Sequence, residues 1–381
     1  MRKVYVVSDN IITSLGFTAE NNLAALEAGQ TGIRLHEDEQ MSPSPFWASL
    51  VDLNSLNDRF SAYADPDQYT RFEKLIICSI QDAIKNTSVS LTGEKTLFIL
   101  STTKGNIDLL DPKHGARFEE SRLYLWNTAQ LLQRFFRLHH RPWVVSNACI
   151  SGVLAVIIGK RLIGSGEFDH VVVTGADLVN EFVLSGFNSF LSLCPGPCKP
   201  FDADRQGLSL GEGSGTIILS ADRNLSEDHG KIIVGPGFSN NDANHISGPS
   251  RTGEGLYMTI RRTMENTGRK INFISAHGTA TPFNDEMESI AITRAGLQNI
   301  PVNSFKGYWG HTLGAAGIIE SVAGIGSIRH NRLFRTLGFS RSGVTHPIAV
   351  IDETKEYQTD TILKIASGFG GCNASLLFYR S

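Results

Sequence analysis

Cys149 stands where a strand-like run, Trp143-Val144-Val145, gives way to a helix-like run from Ser151 to Gly159. A thiol at such a junction faces free backbone N–H groups and the positive end of the helix dipole, and both favour thiolate. Ala148 and Gly152 on either side leave room for a substrate. The pattern suggests a nucleophile whose partners lie far off in the chain.

Three distant segments offer partners. In Ser275-Ala276-His277-Gly278-Thr279-Ala280-Thr281-Pro282 a strand ends in a histidine, followed by hydroxyls able to hold a polar ligand. Lys306 and His311 lie on a second strand-to-helix elbow. Gly368-Phe369-Gly370-Gly371 allows close backbone approach and can supply an N–H to an oxyanion hole. Taken singly, His277 reads as a structural loop histidine and the glycine run as a tight turn. Together they fit acyl-thioester chemistry better than proteolysis, which needs one histidine as base and a carboxylate or amide to orient it. Two histidines can both donate to one developing oxyanion, as an enolate requires while it attacks an acyl carbonyl.

The elements that must position these residues alternate. Strands are expected at 3–7, 96–101, 142–146, 170–174, 215–219, 231–235, 271–275, 361–366 and 374–379. Helices are expected at 19–28, 70–86, 128–138, 150–163, 254–266, 285–295 and 315–329. This is α/β layering, with a faint duplication. Strand 142–146 leads through the cysteine elbow into a glycine-bearing helix, and Pro301–Ser304 leads through Lys306–His311 into Gly314-Ala315-Ala316-Gly317. Packing two such halves together would bring both elbows to one cleft. Segments 35–66 and 101–127 are irregular excursions, where partner or substrate contacts often lie.

Composition sets the outer bounds. The 381 residues are 41% hydrophobic and 19% charged, an ordinary soluble balance, and the net charge of −3 argues against bulk nucleic-acid binding. Five cysteines are an odd number and do not read as a disulfide framework. Neither a signal peptide nor an apolar run near the ~20 residues of a membrane span is evident, so a cytoplasmic chain with reduced thiols is expected.

The cysteine elbow, His-Gly-Thr-x-Thr-Pro, Lys-x4-His-x2-Gly-Ala-Ala-Gly and Gly-Phe-Gly-Gly occur in one order and spacing, with Lys199-Pro200-Phe201-Asp202 and Gly211-Glu212-Gly213 between them. In this the chain resembles the decarboxylating β-ketoacyl-[acyl-carrier-protein] synthases from its first strand to residue 379. The resemblance implies a thiolase-like fold of two similar α/β halves in a five-layered αβαβα core, divided as 1–230 and 231–381, and usually a homodimer. By position it makes Cys149 the acyl-accepting nucleophile, and His277 and His311 the aids to malonyl decarboxylation and enolate stabilisation. Lys306 becomes their electrostatic support, with Asp285 and Glu320 organising the site from behind. The N–H groups of Cys149 and Phe369 match the oxyanion hole, and Phe369 also the gating aromatic. Thr279 and Thr281 match contacts to the phosphopantetheine arm of an acyl carrier protein. No cofactor, metal, nucleic acid or membrane is implied.

Rival readings fare worse. A thiolase needs a second cysteine ahead of its glycine run, whereas Cys372 follows it. A silent chain-length factor usually lacks the cysteine, which leaves a heterodimeric synthase with such a partner as the alternative. Cys194-x3-Cys198 sits among prolines with no second ligand pair, and Gly211-x-Gly213-x-Gly215 precedes a strand rather than a helix, so neither reads as a zinc or phosphate site. Arg71, or the basic run Arg134–Arg141, is a candidate contact for an acidic carrier protein. The chain departs from the family in its shorter 101–130 region, in Ile365-Ala366-Ser367 for the family's Asn-Ser-Phe, and in Cys372 for its threonine. These departures point to a specialised acyl preference, as in a pigment or polyene pathway.

Overall fold

A computed structural model describes residues 2–226, 231–265 and 267–381. The expected boundary after residue 230 lies outside the described residues.

The duplication is explicit in the strand order. In the first half the strands are Tyr5–Ile12, Thr96–Ser101, Trp143–Val145, His170–Asp177 and Gly213–Ser220. In the second they are Ile232–Asn241, Phe273–Ser275, Val302–Asn303, Thr361–Gly368 and Cys372–Arg380. Within each half the strands lie side by side in the order third, second, fourth, fifth, first. The second strand is parallel to its two neighbours, and the fourth, fifth and first pair antiparallel. The two sheets join where Tyr5 and Val6 pair with Ile233 and Ile232.

Each third strand feeds a central helix, Ser151–Ser165 in the first half and Ala316–His330 in the second. Both are apolar nearly all round, the signature of a helix buried between layers. The stretch Ala148–Ser165, with a mean hydropathy of 1.6, is apolar enough by composition to cross a membrane, an exception to the sequence expectation. Here it packs between the two sheets, where Val153, Val156 and Ile157 are buried among Ile217, Leu219, Ile318 and Ile319. The two helices touch backbone to backbone. A Cβ on Gly152 would lie 2.8 Å from the Ile318 nitrogen, and one on Gly317 would lie 2.4 Å from that of Val153. Only glycine allows this approach, which places both helix N-termini at one cleft.

Helix Arg71–Ala83 covers the outer face of the first sheet and Glu254–Met264 that of the second, completing five αβαβα layers. Thr70 and Glu73 start the former with a reciprocal capping box. Most strands and helices fall within a few residues of their expected spans. Leu53–Phe60 and Glu181–Ser189 are additional helices, while region 101–127 holds only short turns of helix.

Candidate functional site

The cysteine elbow is tight. Ala148 adopts a left-handed φ of +44°, and Ser151 Oγ accepts from the Asn147 N–H (2.7 Å) and donates to the Ala148 carbonyl (2.7 Å). This local closure sets Cys149 at the start of the central helix with 8% of its surface exposed. His311 Nε2 lies 3.0 Å from its sulfur, and the His277 ring stands nearly perpendicular to that of His311, 5.0 Å away. One ligating atom from each of Cys149, His277 and His311 falls within 4.8 Å of the others.

Burial decides the resting protonation. It pushes the Cys149 thiol up to about 12, with Cys372 adding to the shift. The expectation of a resting thiolate is thus reversed: the helix N-terminus is outweighed by loss of solvent. Burial, followed by the Lys306 charge, holds both imidazoles well below the usual histidine range. The site at rest is a thiol facing neutral histidines.

The histidine side is held by ions. Lys306, fully buried, donates to Glu320 (2.6 Å) and to the His277 carbonyl (2.5 Å), and its remaining N–H faces His277 Nδ1 at 3.3 Å. An ammonium cannot accept, so Nδ1 must, and the His277 proton sits on Nε2. His277 therefore presents a hydrogen-bond donor. That tautomer also spoils the Cys149–His277–His311 cluster as a metal site, because a protonated nitrogen is no ligand.

Asp285 and Glu288 shape the loop from behind. Asp285 accepts from the N–H groups of Phe201 (2.7 Å) and Thr279 (2.9 Å), and Glu288 from those of His277 (2.7 Å) and Gly278 (2.6 Å). Thr279 and Thr281 are linked to each other through their hydroxyls at 2.8 Å.

The glycine run is the turn joining strands Thr361–Gly368 and Cys372–Arg380, with Gly370 and Gly371 at φ of +81° and +73°. A Cβ on Gly368 would lie 2.9 Å from the Cys149 nitrogen, so the turn comes directly against the nucleophile's amide. Phe369, 36% exposed, stacks on Phe187 at 5.6 Å and meets Phe190 edge-on at 5.3 Å.

The structure thus gathers Cys149, His277, His311, Lys306 and Glu320 and sets the Phe369 turn beside them, with Asp285, Thr279 and Thr281 on the supporting loop. Arg71 is not a free surface cation: it pairs with buried Glu212 and donates to the Val51 carbonyl at 2.9 Å. Arg134 is exposed, in the last turn of helix Leu125–Phe136. Sequence reasoning missed Glu288, Phe187, Asp177 and Lys364. Asp177 accepts from Thr102 Oγ1 (2.8 Å) in one half and the Gly314 N–H (2.7 Å) in the other, tying the elbows together. Lys364 had a visible signal, a lysine within the apolar strand run Ile362-Leu363-Lys364-Ile365.

A reactive thiol between two pseudo-equivalent α/β halves, faced by neutral histidines, defines a condensing acyltransferase of the thiolase-like fold. Residues 1–224 match the family model "Beta-ketoacyl synthase, N-terminal domain", and residues 231–340 match "Beta-ketoacyl synthase, C-terminal domain". The chain belongs to the beta-ketoacyl synthase family. It is 28% identical to 3-oxoacyl-[acyl-carrier-protein] synthase 2 of Vibrio cholerae, covering 100% of this chain and 99% of the relative. It is 30% identical to the ketoacyl synthase alpha subunit of the tetracenomycin polyketide synthase of Streptomyces glaucescens, covering 97% and 96%. Among solved structures, a chain of the ishigamide ketosynthase/chain length factor superposes with a TM-score of 0.89 at 26% identity, covering 100% and 99%. A chain of the Xenorhabdus doucetiae ketosynthase in complex with its chain length factor gives 0.86 at 26%, covering 100% and 98%. The role is that of a condensing enzyme in fatty-acid or polyketide synthesis.

Proposed function

We propose that Cys149 takes an acyl group from an acyl carrier protein and that the acyl group is then condensed with malonyl-carrier protein. The observation that carries this reading is the 3.0 Å contact between His311 Nε2 and the Cys149 sulfur, with His277 alongside. In the first step the sulfur attacks the incoming thioester, His311 relays its proton, and the carrier thiol leaves. In the second the malonyl carboxylate departs as CO2 and its bonding pair becomes an enolate. The Nε2–H of His277, with His311, donates to the enolate oxygen, and Lys306 keeps the pair neutral and fixed. The enolate carbon attacks the acyl carbonyl while the N–H groups of Cys149 and Phe369 receive its oxygen. The C–S bond then breaks, the sulfur regains a proton, and a β-ketoacyl-carrier protein two carbons longer is released. No strong base is needed, because loss of CO2 itself creates the carbanion.

Asp285 and Glu320 act from behind the reacting atoms. Thr279 and Thr281 receive the phosphopantetheine arm, and Phe369 gates the acyl side. The functional halves are 1–230 and 231–381, the enzyme works in the cytoplasm, and the exposed basic run from Arg134 is the remaining candidate for carrier docking. Association at the sheet edge is supported by Trp143, 44% exposed on the outermost strand. A homodimer is the first reading. A heterodimer with a chain-length-factor-like partner is the second, favoured by the two structural relatives solved with such a partner.

The test is incubation with acyl- and malonyl-carrier proteins followed by intact-mass analysis. An acyl adduct on Cys149 and a two-carbon-extended product are expected. An adduct without extension would point to the partner-dependent form, and extension from acetyl-CoA without malonyl would overturn the decarboxylating reading.

A further inference from the structure

Behind His277 lies a second buried lysine. Lys364 has no exposed surface, and all three of its N–H groups find acceptors: Glu320 Oε2 (2.6 Å), the Ala276 carbonyl (3.1 Å) and the Ser275 carbonyl (3.3 Å). Lys306 is built the same way, on Glu320 Oε1, the His277 carbonyl and His277 Nδ1. One carboxylate therefore bridges two ammonium groups, each also holding backbone carbonyls at the strand end that carries His277. Ser275 pairs with Lys364 directly in the parallel register of strands Phe273–Ser275 and Thr361–Gly368.

We propose that Lys364 is a positioning residue of the condensing site: it fixes Glu320, and so Lys306, from one side and the Ser275–Ala276 carbonyls that aim His277 from the other. Without it, one Glu320 oxygen loses its partner and Lys306 faces a carboxylate free to turn. Two carbonyls next to His277 are also left without their donor, in a place water does not reach. The triad of two cations and one anion carries an excess positive charge. Lys364 thus adds to the field that favours a developing enolate at the histidines and opposes their protonation. The charged and titratable groups facing those imidazoles are Lys306, Lys364, Glu320 and Cys149, with Glu288 bonded to the His277 backbone.

This inference rests on the assignment of His277 and Lys306 to decarboxylation, so its test includes a readout independent of activity. In the full-length protein, Lys364→Met is expected to slow malonyl-carrier decarboxylation about tenfold while acylation of Cys149 changes less than about twofold, since only the histidine arm is disturbed. In a Glu320→Gln background the same substitution is expected to cost less than about twofold more, because the route through Glu320 is already cut. Imidazole 15N NMR is expected to show the buried histidines titrating at higher pH in Lys364→Met. Should that variant misfold, Lys364→Gln, which keeps an N–H for the carbonyls, takes its place. Equal loss of both half-reactions with unshifted imidazoles would overturn the proposal. If the wild-type protein performs neither half-reaction, the proposed function fails, and the NMR shift alone decides the role of Lys364.

Discussion

The two halves share one strand order and one central helix, yet they carry different chemistry at the same place. In the first half the third strand meets its helix through a short elbow, and the reactive group there, Cys149, sits in an apolar setting that keeps it a thiol. In the second half the equivalent junction is longer, spanning Ser304 to Ala315, and is loaded with Lys306 and His311, braced by Glu320 and Lys364. Duplication supplied the facing geometry. The difference in charge divided the labour: the uncharged elbow holds a thioester, and the ionic one manages a carboxylate and an enolate. The glycine contact of Gly152 with Ile318 and of Gly317 with Val153 lets both work on one substrate.

The sharpest way to break this division is on the ionic side. His277→Ala is expected to reduce decarboxylation by about 10² to 10³, with Cys149 acylation nearly intact, measured as CO2 release against intact mass. Next, the helix contact should be intolerant of a single methyl. Gly152→Ala is expected to cost about 1–3 kcal/mol by denaturant unfolding, because its Cβ would meet backbone that cannot move aside. Gly186→Ala, where the new Cβ meets open space on helix Glu181–Ser189, should be neutral or stabilising by up to about 1 kcal/mol. On the apolar side, the free thiol pushed up to about 12 predicts that iodoacetamide alkylation of Cys149 rises about tenfold per pH unit through neutrality, without a plateau. A plateau near pH ~7 would restore the resting thiolate. Smallest, Phe369→Ala should alter acylation by only about two- to fivefold, since Phe187 and Phe190 still shield the entrance.

Much of this site was legible in the sequence because its reactive groups sit at junctions that periodicity marks well, where strand gives way to helix. Cys149, His277, Lys306 and His311 could be placed that way. What escaped was whatever depends on packing across the halves. Lys364 looks like one polar residue in a strand until Glu320 is seen opposite it. Glu288 looks like an ordinary helix acid until its bonds to the His277 and Gly278 amides are seen. The resting thiol was misjudged for a related reason. A helix terminus can be read locally, but desolvation by a second domain half cannot. Arg71 likewise reads as exposed from its place in a first turn, and only the fold reveals Glu212 beneath it.

The central claim, that the acyl-holding and decarboxylating tasks belong to opposite halves, is tested most directly by Cys149→Ala with malonyl-carrier protein. Removing the sulfur leaves the Lys306–Glu320–Lys364 support and His277 untouched. The variant is therefore predicted to release CO2 and leave acetyl-carrier protein while taking no acyl adduct from acyl-carrier protein. A folded Cys149→Ala protein that fails to decarboxylate, or that still takes an acyl adduct, would contradict the account.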